Sequence, residues 1–280
     1  MVTPNQYIRR LGNKVKEQRG VFILYSILRL LVVLIGIRSV MLHNYDVTGT
    51  CLLVLALFFI PSLLEETLKI RIPALFEGII YCFIFAAEVL GELGHFYTMI
   101  PIWDTMLHTL NGFLFAAVGF STVELLNRTN KNVSLSPLYL TMVAFCFSMT
   151  IGVLWEFFEC GADIFLGQDM QKDFIVDHFQ SVTLDPNHSQ EVIHVDDITG
   201  TIVQTASGDI TVDGGYLDIG ILDTMKDLLV NFIGAIVFCS FGFAFLKHGE
   251  KRKVASSVVT GLTLKAETEG ETEGEESEHE

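Results

Sequence analysis

Hydropathy constrains this chain more than any other feature. About six stretches are apolar and long: Val21–Leu42, Gly49–Leu64, Pro73–Leu90, Met106–Leu126, Leu138–Phe158 and Leu228–Leu246, the second being the shortest. A helix needs roughly 20 apolar residues to cross a hydrocarbon layer ~30 Å thick. In that layer every backbone polar group must be satisfied from within the protein, so spanning segments are helical. Half of the 280 residues are hydrophobic, more than a soluble domain of this length has use for. The expected fold is an all-α transmembrane helical bundle of about six spans, with a small β-containing loop outside the membrane.

Lysine and arginine placement sets the orientation. Arg9, Arg10, Lys14, Lys16 and Arg19 precede the first span, Lys69 and Arg71 follow the second, Arg128 and Lys131 follow the fourth, and Lys247, Lys251, Arg252 and Lys253 follow the last. The alternate loops offer mainly Lys172 and Lys226. Both termini are therefore expected at the cytoplasmic face. The chain then divides into a basic N-terminus (1–20), five spans (21–160), an acidic extracytoplasmic loop (161–223), a last span (224–247) and a disordered acidic tail (248–280). The basic N-terminus does not read as a cleavable signal, because the apolar run behind it is too long and contains Arg29 and Arg38.

The net charge of −15 is concentrated, with about half of it in Ala266–Glu280. Such a segment buries nothing. The loop is long enough to have structure of its own. Asp173–Gln180 is compatible with a short helix, whereas Glu191–Ile198, Thr201–Thr205 and Asp209–Val212 are β-branched runs between turn signals and predict a hairpin or meander. Cys51, Cys82, Cys146, Cys160 and Cys239 fall in or at the ends of apolar runs without metal-type spacing, and read as packing residues.

In this topology the polar residues of the spans gather at one level. Glu88, Glu92 and His95 end the third span, and Asp104, His108 and Asn111 begin the fourth. Glu156, Glu159 and Asp163 end the fifth, and Asp223, Asp227 and Asn231 begin the sixth. Each set repeats at three or four residues and so shares a helix face. Ionisable groups at bilayer depth are costly, and like charges at this spacing repel. Protonation, water or a cation must offset the repulsion. Carboxylates and imidazole projecting from facing helices are how helical bundles hold divalent metals.

The candidate metal ligands are Asp104, His108, Glu156, Glu159, Asp223 and Asp227. Glu156 and Glu159 are also the candidate catalytic bases for a metal-activated water. Glu88, Asn111, Asp163, Asn231 and Arg38 complete the belt, and Arg29 lies deeper, where Glu77 or Glu124 would be its partner. Several of these residues have a plainer reading. Asp104 and Asp223 fit helix N-caps, and Asn111 and Asn231 fit interhelical hydrogen bonding. Trp103 and Trp155 fit the aromatic belt of a bilayer interface. Glu156 and Glu159, placed at a helix C-terminus where the dipole disfavours anions, are not explained by capping.

The blocks Trp103–Phe113, Gly152–Glu159 and Leu222–Asp227, with Asn231 and Gly234, resemble the YjdF-like family of bacterial inner-membrane proteins over roughly Pro73–Leu246. The resemblance implies a multi-pass protein of the bacterial cell membrane and carries no reaction with it. Three functions remain open. The belt holds a divalent cation, with hydrolysis of a lipid or envelope substrate; or it is structural, and the loop 161–223 binds an envelope partner; or the chain is a cation- or proton-coupled transporter. The lipid bilayer is an implied partner, while nucleic acid is excluded for want of a basic patch.

Overall fold

Apolar residues dominate six segments, and all six are helical in the computed structural model, which describes residues 19–68, 70–129, 134–248, 253–262 and 265–266. The helices long and apolar enough to cross a membrane are Arg19–Met41, Tyr45–Thr67, Ala74–Leu93, Trp103–Asn127, Pro137–Leu166 and Ile221–His248. They make the protein a multi-pass membrane protein with a helical fold and a small strand-containing region. The basic residues Arg9 to Lys16 and the acidic residues 267–280 lie outside the described residues.

The first span is α1 (Arg19–Met41). The second is made of α2 (Tyr45–Leu57) and α3 (Ile60–Leu68), and Asn44 caps α2 by accepting the amide of Val47. The third begins as α4 (Ala74–Ile84), after Pro73 as its N-cap, and continues as a π-helical segment, Phe85–Leu93. There the Gly94 amide reaches back five residues to the Val89 carbonyl, at 2.8 Å. A short helix, α5 (Phe96–Met99), leads into α6 (Trp103–Thr129). The last two spans are α7 (Pro137–Leu166) and α8 (Ile221–His248), and α9 (Lys253–Leu262) follows.

Two of these helices are longer than their apolar runs. The apolar run ending at Phe158 belongs to a helix that continues to Leu166, and the run starting at Leu228 belongs to one that begins at Ile221. At 1.5 Å per residue α7 measures roughly 45 Å, well beyond the hydrocarbon thickness. The tail expected to lack structure from residue 248 contains α9, whose Ala255, Val259 and Leu262 are buried.

The chain divides into two compact units, 1–149 with 231–280, and 150–230. The first has two apolar cores. One gathers Phe76, Leu114, Ala117, Phe120, Ala144, Ala235 and Phe238, with Val259 and Leu262 of α9. The other gathers Leu28, Val32, Val54, Phe58 and Tyr81. Gly112 and Gly234 permit the close approach of α6 and α8: a Cβ on Gly112 would lie 2.0 Å from the Asn231 carbonyl oxygen, and one on Gly234 would lie 2.0 Å from that of Thr109. Small residues at a membrane helix crossing serve this contact. β1 (Ile70–Arg71) pairs antiparallel with β8 (Lys265–Ala266).

The second unit holds three antiparallel pairs. β2 (Ile175–Val176) pairs with β7 (Tyr216–Leu217), and β3 (Phe179–Ser181) with β4 (Ile193–Val195). β5 (Gly200–Thr205) and β6 (Gly208–Asp213) form the expected hairpin. Its turn is closed at Gly208, whose φ of 132° suits glycine. The short helix considered for Asp173–Gln180 is replaced by β2 and the start of β3.

Candidate functional site

In the first unit, the helical spacing of Asp104 and His108 brings His108 Nε2 within 3.3 Å of Asp104 Oδ1, with His108 only 8% exposed. Three residues further along α6, Asn111 donates to Asn231 Oδ1 at 3.2 Å, and Asn231 in turn donates to Met149 Sδ. Ser148 closes the same region by donating to the Gly112 carbonyl at 2.7 Å. The two asparagines are thus hydrogen-bond partners across the α6–α8 crossing. Asp104 lies inside the first turn of α6 rather than capping it, where an anion still complements the dipole.

The other belt candidates of this unit stand apart. Glu88 is half-buried in the π-helical segment and Arg38 is exposed, and neither makes an ion pair with a described residue. Glu92 and His95 are exposed, His95 with a φ of 58°. Arg29 does not take Glu77 or Glu124 as its partner. It donates to Tyr25 Oη at 2.9 Å and lies over the Phe59 ring at 5.2 Å, so aromatic faces hold its charge. Glu77 accepts from Tyr81 Oη at 3.0 Å.

In the second unit the carboxylates sort into two kinds. Glu156 and Glu159 project from one face of α7, are 4% and 7% exposed, and bring carboxylate oxygens within 4.8 Å of each other. Glu159 accepts the Trp155 indole N–H at 2.8 Å, which gives that tryptophan a polar partner. These two glutamates lie ten and seven residues before the end of α7. The helix-terminus argument for their cost is therefore replaced by burial and mutual repulsion, because the dipole acts within the last turn.

Asp163 and Asp223 instead accept backbone amides. Asp163 takes Met170 at 2.6 Å and Gln171 at 2.9 Å, and Asp223 takes Lys172 at 2.9 Å. The Lys226 ammonium lies 2.7 Å from Asp223 Oδ1 and 3.5 Å from Asp227 Oδ1, and 5.7 Å from the centre of the Phe174 ring. Asp223, like Asp104, is inside its helix, since α8 begins at Ile221.

Two acids that the sequence did not single out organise the loop. Asp218 accepts the amides of Phe174 (2.6 Å), Leu222 (2.8 Å) and Gly220 (3.2 Å). Burial pushes its carboxyl up, but these amides outweigh that and hold it below the usual carboxylate range. Asp185 accepts the amides of Asn187, Ser189 and Glu191 and the Ser189 hydroxyl, and the Asn187 amide above all lowers its carboxyl. The Asp185-Pro186-Asn187 run was the available signal for that turn. Burial and the nearby acids Asp169, Asp218 and Asp163 raise Asp173. At the surface, His178 lowers Asp177 and is itself raised by it.

The structure thus pairs Asp104 with His108, Asn111 with Asn231, Glu156 with Glu159, and Asp223 with Asp227 through Lys226. Within the first unit Asp104 and His108 offer a carboxylate and an imidazole, and within the second Glu156 and Glu159 offer carboxylates, donor types that Mg²⁺, Mn²⁺ or Zn²⁺ accept. A family model described as "Predicted membrane protein (DUF2238)" matches residues 21–248, the family to which the YjdF-like resemblance pointed. No curated protein and no solved structure matches the chain.

Proposed function

The chain belongs to this family of predicted membrane proteins, and on that premise we propose that its buried carboxylates bind a divalent cation at the extracytoplasmic side of the bacterial cell membrane. The observation that carries the reading is the Glu156–Glu159 pair, two buried acids with oxygens within 4.8 Å. At an effective dielectric near 20, two unit charges at that separation repel by roughly 3 kcal/mol. A shared divalent ion turns the repulsion into two attractions. Asp104 and His108 are the next candidate donors, on the sequence argument that places them in the same layer. A bound cation would supply Lewis-acid chemistry, and Glu156 or Glu159 would accept the proton of the attacking water in hydrolysis of a lipid or envelope substrate.

Metal analysis of the purified full chain tests the reading. About one divalent ion per chain is expected, lost in the double variant Glu156→Gln/Glu159→Gln and reduced in His108→Ala. Metal-free wild type that takes up none on titration, or variants with unchanged content, overturns it.

A second reading, a structural belt, is favoured by Asp163 and Asp223, whose oxygens hold the amides of residues 170–172. Under it, neutralising Asp163 lowers the melting temperature and leaves metal content untouched. If Glu156→Gln/Glu159→Gln behaves in the same way, the whole belt is structural.

A further inference from the structure

We propose that Lys226 is a resident cation occupying a second divalent-cation position between Asp223 and Asp227, and that it restricts this unit to a single divalent ion. The inference deepens the cation-binding reading, because it assigns Asp223 and Asp227 to a position separate from Glu156 and Glu159.

Charge is the first ground. Residues 150–230 contain fifteen acidic residues and two lysines. Lys172 is taken by Asp169, to which its ammonium is 3.8 Å away. Lys226 is the other. It serves two buried acids of the unit's helical part, with side chains 5% and 2% exposed. Burying a carboxylate is costly unless a positive charge or hydrogen-bond donors offset the lost hydration.

Geometry is the second ground. Asp223 is three residues before Lys226 on α8, so their side chains meet naturally. Asp227 is the next residue along and points to a different part of the helix surface. A 3.5 Å approach to Asp227 Oδ1 therefore requires the flexible stem to curl so that the head sits between both acids. The 2.7 Å contact to Asp223 Oδ1 is a charge-assisted hydrogen bond. The loop holds this arrangement from the other side: the Lys172 amide fixes Asp223 Oδ2, and the Phe174 ring lies under the ammonium, its own amide pinned by Asp218. A tethered ammonium is never diluted away, so it outcompetes a free ion for the same oxygens. It also brings one charge and three donors, where a divalent ion brings two charges and calls for more oxygens.

Mn²⁺ titration of the full chain in lipid nanodiscs, read by the paramagnetic resonance of free Mn²⁺, tests the proposal. Lys226→Met is expected to bind one more equivalent than wild type. Lys226→Arg is expected to bind no more than wild type, and Lys226→Met/Asp227→Asn to lose the added equivalent. A Lys226→Met protein with wild-type stoichiometry overturns the proposal, as does an added equivalent that survives Asp227→Asn. Should Lys226→Met not fold alone, millimolar Mn²⁺ throughout purification is expected to restore it, and failure to do so overturns the proposal too. The two readings fail separately. Wild type binding none while Lys226→Met binds one removes the Glu156–Glu159 reading and leaves this one. Wild type and Lys226→Met each binding one does the reverse.

Discussion

Asn111 and Asn231 meet in the first unit as neutral amides, beside Gly112 and Gly234, where two helices touch through their backbones. In the second unit Asp163, Asp218 and Asp223 meet the amides of a connecting loop as acceptors, and a lysine balances two acids. Both regions bury polar groups, and they differ in what makes burial tolerable. Between helices the partner is a second neutral side chain, and close packing does the rest. Where helices give way to loop, the partners are dipoles and a charge. The first arrangement is sensitive to volume and indifferent to pH. The second tolerates volume and responds to charge.

The largest expected effect comes from adding one methyl group to each region. Gly112→Ala places a Cβ 2.0 Å from the Asn231 carbonyl oxygen. Backbone cannot move aside without parting α6 from α8 and stretching the Asn111–Asn231 bond, so we expect a loss of about 3 kcal/mol or more. Gly161→Ala, in the helical part of the second unit, meets nothing within 4 Å. It is expected to change stability by no more than about 1 kcal/mol, in the stabilising direction. Thermal unfolding in detergent compares the two, and equal shifts would break the contrast.

A middle-sized effect is expected at Asp218. Alanine there removes the acceptor for three amides, those of Phe174, Gly220 and Leu222. Amides left without an acceptor cost about 1–3 kcal/mol. Hydrogen exchange should rise locally at Phe174 and Leu222, with Asp218→Asn intermediate because it keeps one acceptor oxygen. Unchanged protection at both amides would show that the loop is held by its strand pairs instead.

The helices were legible because a membrane span declares itself through a long apolar run, as Arg19–Met41 and Ile221–His248 do. Their ends were not, because Glu159, Asp163 and Asp223 are polar residues on turns that carry the helices beyond their apolar runs. The π-helical segment leaves no mark in the sequence, since the hydrogen-bond shift that makes it changes no residue type. The hairpin at Gly200–Asp213 was readable from adjacent strands and a Ser-Gly-Asp turn. β2 and β3 were not, because their partners Tyr216–Leu217 and Ile193–Val195 lie far along the chain. In the candidate site, helical spacing found Asp104 with His108 and Glu156 with Glu159. It missed Asp218, whose bond to Phe174 spans 44 residues, and it counted Lys226 as a loop charge rather than as the partner of Asp223 and Asp227.

The smallest expected effects are those of pH on the loop, and their signs differ within it. Asp185 and Asp218 have carboxyls held below the ordinary range. An acid lowered by folding contributes fully above its unfolded value of ~3.9 and loses that contribution as pH falls through the lower folded value. His178 is raised by Asp177. A base raised by folding contributes fully below its unfolded value of ~6.5 and loses that contribution as pH rises through the folded value. Amide protection at Asn187, Ser189 and Leu222, corrected for intrinsic exchange, should therefore hold from pH 7 down to about 4 and fall below it. The Asp177–His178 pair is exposed on both sides, so protection near it should barely move between about pH 6 and 8. The Asn111–Asn231 crossing has no titrating atom in its hydrogen bond, and its amides should ignore both windows. A loss of protection there in step with the loop would mean that the two regions open together, and the contrast in how they tolerate buried polar groups would no longer describe separable stabilities.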